Sequence, residues 1–182
     1  MKEYSTASKS SHFTVRVTLV GIGLKVQAMG ILCPMAERVK IAQKTIKYTP
    51  TEKLVDALVT ILSGAKGLVE ANKRVRPDRA IQCAFGRQGC AEQSVISDTL
   101  NACTVENVSQ MEEAFQMIHQ QHSVAYRHNY EAGLQVLDID MTGMPFGKKA
   151  AFASKGYFAK QRNRRGRQLR RVMATNYQEI VI

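Results

Sequence analysis

Asp138 and Asp140 stand one residue apart in the run Leu137-Asp138-Ile139-Asp140. Residues two apart on a strand share a face, so both carboxylates point the same way there. Carboxylate oxygens suit a hard cation such as Mg²⁺, which takes only one or two protein carboxylates. Pairs of such ions clamp the attacking and leaving oxygens in phosphoryl transfer. Two like charges buried this close repel unless a cation lies between them. On an edge strand facing solvent they need none. On these residues alone both readings stay open.

Charge is the second chemical feature. The chain of 182 residues carries a net +11 from 26 Lys+Arg and 15 Asp+Glu. From Phe146 to Ile182 there are ten basic residues, namely Lys148, Lys149, Lys155, Lys160, Arg162, Arg164, Arg165, Arg167, Arg170 and Arg171, and one acid, Glu179. That segment holds +9 of the total and leaves +2 for residues 1–145. A patch so localised predicts a polyanionic partner, most often nucleic acid. A basic tail that is merely solvated is the plainer alternative.

Other reactive side chains are scattered. Cys33, Cys83, Cys90 and Cys103 include no close pair, so a zinc site or a disulfide framework is not expected and they read as small buried hydrophobes. His119 and His122 lie one helical turn apart with no facing acid or thiol, and read as solvent-facing.

These residues need elements to position them. Composition is 45% hydrophobic and 23% charged, ordinary for a globular chain. No apolar run is long enough for a membrane span, and Val17–Met35 makes a poor signal peptide, which together predict a cytoplasmic protein. Residues 1–11 read as a frayed end. His12–Ile31 predicts a helix with Val17, Val20, Leu24 and Ile31 on one side, weakened by Gly21, Gly23 and Gly30. Thr49 caps a second helix, with Pro50 at its first position and Glu52 in its first turn, and Leu54, Val55, Leu58, Ile61 and Leu62 form its apolar stripe. Helices over Pro77–Phe85 and Glu92–Cys103, the latter with Val95, Ile96 and Leu100 as apolar face, flank the turn Gly86-Arg87-Gln88-Gly89. That outline suits a DNA-reading helix-turn-helix or plain bundle packing. Thr104 caps a long helix to about Tyr126, with Val108, Met111, Phe115 and Ile118 as its core stripe.

The pattern changes at Gly133. Leu134–Asp140 predicts a strand, ended by Gly143 and Pro145. Gly156–Lys160 and Gln168–Ala174 predict two more, joined by a polar turn at Gln161–Gly166. Together they make an antiparallel meander without a covering layer.

The run Leu137-Asp138-Ile139-Asp140-Met141-Thr142-Gly143-Met144-Pro145 resembles the first catalytic strand of bacterial insertion-sequence transposases of the DDE type, whose catalytic domain is RNase H-like. Lys155-Gly156-Tyr157-Phe158, the Arg/Asn/Gly turn and Arg167-Gln168-Leu169 extend the likeness, which spans about residues 35–182. It implies an α+β chain. A helical DNA-binding region at 12–130 is followed, at 131–182, by the first antiparallel strands of an incomplete RNase H-like domain. It also implies Asp140, two before Thr142, as catalytic carboxylate and Mg²⁺ ligand, with Asp138 as second choice. The ten basic residues would hold phosphates of double-stranded DNA at the element's ends. The family's later Asp and Glu are not matched, and Glu179 is not cast as that Glu. The resemblance therefore implies an N-terminal fragment, inactive alone and completed by Mg²⁺ and by a second copy or a downstream transposase fragment. A non-catalytic DNA-binding protein or regulator is the alternative, and an RNA-binding or ribosome-associated protein, suggested by the basic tail alone, is the third.

Overall fold

A computed structural model describes residues 12–147, 153–156, 158 and 163–181. It is α+β, with helices followed by an antiparallel sheet. The frayed end expected at 1–11 lies outside the described residues. Two compact units divide between Ala114 and Phe115, inside a helix rather than after residue 130.

The first unit contains α1 (Val17–Ala28), α2 (Cys33–Arg38), α3 (Pro50–Leu62), α4 (Ala71–Arg74), α5 (Arg79–Ala84), α6 (Gln93–Asn101) and the start of α7 (Val105–His122). Helix α3 begins on a capping box. Thr49 Oγ1 accepts from Glu52 N at 3.2 Å, and the Glu52 carboxylate accepts from Thr49 N at 2.7 Å. Asp78 caps α5 through Ile81 N. Thr104 caps α7 by accepting from Asn107 N at 3.2 Å.

The core of this unit joins Leu19, Val59, Val75, Ile81, Phe85 and Ile96 with small residues between them. Gly23 is essential to the approach of α1 to α5, because a Cβ there would sit 2.7 Å from Phe85 Cδ2. Gln27 reaches across the same seam and donates to the Cys83 carbonyl at 3.0 Å and to that of Ala84. These carbonyls end α5 and have no partner within the helix.

The buried faces differ from those the apolar stripes predict. Helix α3 buries Lys53, Asp56, Ala57, Val59 and Thr60, whereas Leu58, Ile61 and Leu62 are exposed. Helix α6 buries Ile96 and Thr99, with Val95 and Leu100 outside. Helix α7 buries Asn107 and Ala114 in place of Val108 and Phe115. In α1, Leu19 and Gly23 are inside and Val17 and Leu24 outside. For α3 the cause is a polar network in the centre of the unit that its polar face satisfies.

That network centres on Arg87, which is 5% exposed. Its Nε donates to Asp56 Oδ1 at 3.0 Å and its Nη2 to Asp56 Oδ2 at 3.2 Å, while Nη1 reaches Glu52. Asp56 also accepts from Ala91 N at 2.8 Å. The connection between α5 and α6 therefore runs over residues 85–92, longer than the ~3–4-residue turn of a helix-turn-helix. Gly86 in that loop sits at φ 71°, a left-handed conformation that glycine adopts without strain. The loop serves packing by carrying Arg87 and Ala91 N to Asp56.

Of the cysteines, only Cys90 is buried, and Cys33 and Cys83 are exposed. Burial pushes the Cys90 thiol up to about 12, with Asp56 adding to the effect, so it stays an unreactive thiol at neutral pH.

The second unit holds the rest of α7, a 3₁₀ turn at Ala125–Arg127, and strands β1 (Leu137–Pro145), β2 (Ser154–Lys155), β3 (Arg165–Ala174) and β4 (Glu179–Val181). Strand β1 pairs antiparallel with β3 along its length, from Leu137↔Ala174 to Pro145↔Gly166. The other edge of β3 takes β2 at Arg165–Gly166 and β4 at Val172–Ala174. The order is thus β1-β3-β2 rather than a sequential meander.

Pro145 is the last residue of β1, as expected, whereas Gly143 lies within the strand and does not end it. A Cβ at Gly143 would sit 2.7 Å from Phe158 Cδ1, and one at Gly166 would strike the same ring, so the two glycines seat Phe158 on that face. The expected strand at Gly156–Lys160 is seen as a bridge at Phe158, with Tyr157, Ala159 and Lys160 outside the described residues. Asn163 turns the chain at φ 57°. All of β1 is exposed, including Ile139 at 64%, whereas β3 buries Gly166 and Ala174 at its two ends.

Strand β4 is tied to the helical end of its unit through Glu179. Its carboxylate accepts from Ser123 Oγ at 2.5 Å, Ala125 N at 3.0 Å and Val124 N at 3.1 Å. The Ser123 hydroxyl and the two amides hold this carboxyl below its usual range. A depressed carboxylate stabilises the fold above the unfolded-state value, and that contribution is lost as pH falls through the folded-state value. Glu179→Gln is expected to cost about 0.5–1 kcal/mol, as for loss of a cap. The measurement is amide exchange at Val124 and Ala125, which should quicken in the variant at neutral pH and converge with wild type in acid.

His128 is held in the same region, with Nε2 2.9 Å from the Gly133 carbonyl and Nδ1 2.5 Å from Tyr177 Oη. A carbonyl only accepts, so Nε2 carries the proton, and in the neutral ring Nδ1 accepts from the hydroxyl. His119 and His122 are half-buried rather than solvent-facing, and His119 packs edge-on against Tyr126.

Candidate nucleic-acid interface

Strand β3 carries Arg165, Arg167, Arg170 and Arg171, all exposed, and Arg164 precedes it. Alternation along the strand puts Arg165, Arg167 and Arg171 on one face and Arg170 on the other. Lys155 lies opposite Arg165 on β2. Lys148, Lys149, Lys160 and Arg162 lie outside the described residues.

At the end of this ribbon a hollow of about 570 Å³ is lined by Phe146, Gly147, Lys155, Asn163, Arg164 and Arg165. Three of the six are cations and none is an acid. The guanidinium of Arg167 stacks over the Phe146 ring at 5.7 Å from its centre. Such a hollow joins donors for phosphate oxygens to an aromatic face. The basic residues were legible from charge counting. Phe146 and Asn163 were not, because neither is charged and a loop assembles them.

Asp138 and Asp140 share a face of β1, as spacing predicts, and both are exposed. The register places Asp140 opposite Arg171, with Nη2 3.6 Å from Asp140 Oδ2. Thr142 Oγ1 donates to the same carboxylate at 3.5 Å. Asp138 is opposite Met173.

The donor set fits a single Mg²⁺ held by one or two carboxylates with water completing the shell. It does not complete a two-metal centre, since no cluster of three or more His, Cys, Asp or Glu side chains occurs among the described residues. An exposed ion pair such as Asp140–Arg171 is worth about 0–1 kcal/mol. A cation at Asp140 must displace it. Arg171→Ala is therefore expected to tighten Mn²⁺ binding by about two- to fivefold, measured by electron paramagnetic resonance with Asp140→Asn as the non-binding control. Equal affinity in all three proteins would remove Asp140 from any metal site. No protein-family model, curated protein or solved structure matches this chain.

Proposed function

We propose that the chain is a DNA-binding part of a DDE-type insertion-sequence transposase, with β1–β4 as the opening strands of an RNase H-like domain. The observation that carries the reading is the acid-free basic hollow at the end of β3, next to a strand that bears two carboxylates on one face. The resemblance of Leu137–Pro145 to the family's first catalytic strand supplies the rest. In this reading Asp140, seconded by Asp138, holds Mg²⁺, which when bound stabilises charge on a phosphate oxygen. Arg164, Arg165 and Lys155 grip the DNA backbone at the end of β3, and further along the same face Asp140 pairs with Arg171. DNA cleavage by this chain alone is not part of the reading.

A non-catalytic DNA-binding protein is the second reading. It is favoured by one contact: Arg171 already compensates the Asp140 carboxylate without a metal ion.

The shared claim is tested by fluorescence anisotropy of a mixed-sequence DNA duplex across a salt series. Four or more phosphate contacts predict a log–log slope of about −3.6 or steeper. Salt-independent binding would sink both readings.

A further inference from the structure

The first unit contains a second basic cavity, remote in sequence from β3. It has a volume of about 440 Å³, and six charged side chains line it: Lys44, Lys47, Lys53, Arg76, Glu92 and Asp98. Four cations against two acids leave a formal +2.

Lys53 distinguishes this cavity from an ordinary surface hollow. It lies within α3 and is only 4% exposed. Its Nζ donates to Gln43 Oε1 at 3.0 Å. That oxygen also accepts from Thr99 Oγ1 at 2.7 Å, so both of its lone pairs are used. An ammonium has three donors. No carboxylate forms an ion pair with Lys53 among the described residues. Buried charges in proteins are otherwise paired and hydrogen-bonded. On the same helix, Asp56 has a full set of partners in Arg87 and Ala91 N. Lys53 has one neutral acceptor and an adjoining cavity whose rim adds Lys44, Lys47 and Arg76.

We propose that this cavity is an anion site that takes a phosphate group, with Lys53 as its buried donor. A phosphate presents several acceptor oxygens, enough for the remaining Lys53 donors and for the long lysine side chains at the rim. Glu92 and Asp98 limit the site to one such group. The source is a nucleic-acid backbone or free phosphate. Only the first of these rests on the DNA-binding reading.

The experiment uses the full chain and inorganic phosphate, titrated calorimetrically in low-chloride buffer. Gln43→Glu sets a carboxylate against the Lys53 ammonium at unchanged side-chain length and still accepts from Thr99. Lys53→Met removes the charge and keeps the volume. Wild type is expected to bind phosphate, and each variant to bind it about tenfold or more weakly, the loss of a charge-assisted hydrogen bond. If Lys53→Met does not fold, Gln43→Glu decides. Phosphate binding by Gln43→Glu equal to wild type, or none by wild type in the millimolar range, overturns the site.

The second arm repeats the DNA salt series with Gln43→Glu. A slope shallower by about 0.9 identifies the occupant as a backbone phosphate, and an unchanged slope identifies it as free phosphate. Replacing Arg164, Arg165 and Arg167 with Ala removes any phosphate bound at the β3 hollow, so a further loss on adding Gln43→Glu in that background reads the Lys53 cavity alone, and no further loss overturns the site.

Discussion

Arg87→Ala is expected to lower the stability of the helical unit by about 3–5 kcal/mol, the penalty for breaking a buried ion pair from one side. The magnitude follows from what the truncation strands. Asp56 is 1% exposed, and its two oxygens are met by Arg87 and by Ala91 N. Without the guanidinium, one amide remains to hold a buried carboxylate. Burial already pushes the Asp56 carboxyl above its usual range even with Arg87 present. Glu52 moves the other way: burial pushes it up, and Thr49 and Arg87 outweigh that. The directions agree with geometry, since Glu52 is at the rim and Asp56 in the core.

The pH dependence has a definite sign. A carboxyl whose folded value is raised binds its proton more tightly when folded, so its contribution is full below the unfolded value and is lost as pH rises through the folded one. Removing Arg87 raises the folded value further. The deficit of Arg87→Ala, measured by urea unfolding, should therefore be larger at pH 7 than at pH 4. Arg87→Lys should recover only part of it, because an ammonium cannot meet Asp56 with two parallel bonds. The double variant Arg87→Met/Asp56→Leu should recover more than Arg87→Lys, since it removes the stranded charge itself. A single-variant loss below about 1 kcal/mol would show the network to be dispensable.

The same network explains what could and could not be read from the residues. Capping was legible, because Thr49, Pro50 and Glu52 act within one turn and need no distant partner. So was the shared face of Asp138 and Asp140, which alternation alone fixes. The buried side of α3 was not. Its stripe of Leu54, Val55, Leu58, Ile61 and Leu62 has the right period, and Val55 does pack against the core, but a helix with two eligible faces is oriented by its partners. Here the partner is an arginine 31 residues beyond Asp56. Gly86-Arg87-Gln88-Gly89 looks like a solvent turn, and nothing local marks its arginine as buried. Strand order was hidden for a similar reason: turn residues show where strands end, whereas β3 takes the centre because it is long enough for β1 on one edge and two short strands on the other.

Changing Arg162, Arg164, Arg165 and Arg167 together to Ala should flatten the salt dependence of DNA affinity by about three log–log units. Arg162 lies outside the described residues and is included on sequence alone. Each phosphate contact contributes about 0.9 to the slope, so four contacts give a little more than three, and Arg167 is already stacked on Phe146. At 0.1 M salt the loss amounts to about a thousandfold in affinity. Stability should hardly change, because Arg164, Arg165 and Arg167 are exposed to solvent on or beside β3. Two single variants locate the bound face. Arg170 projects from the opposite side of β3, so Arg170→Ala should leave the slope unaltered if DNA lies on the Arg167 face. Arg171 shares that face but is engaged by Asp140, so Arg171→Ala should reduce the slope by less than one full contact. A quadruple variant with the wild-type slope would remove the hollow around Phe146 from the interface and move the DNA contact elsewhere on the chain. A slope lost together with the unfolding transition would instead make these arginines structural, which their exposure argues against.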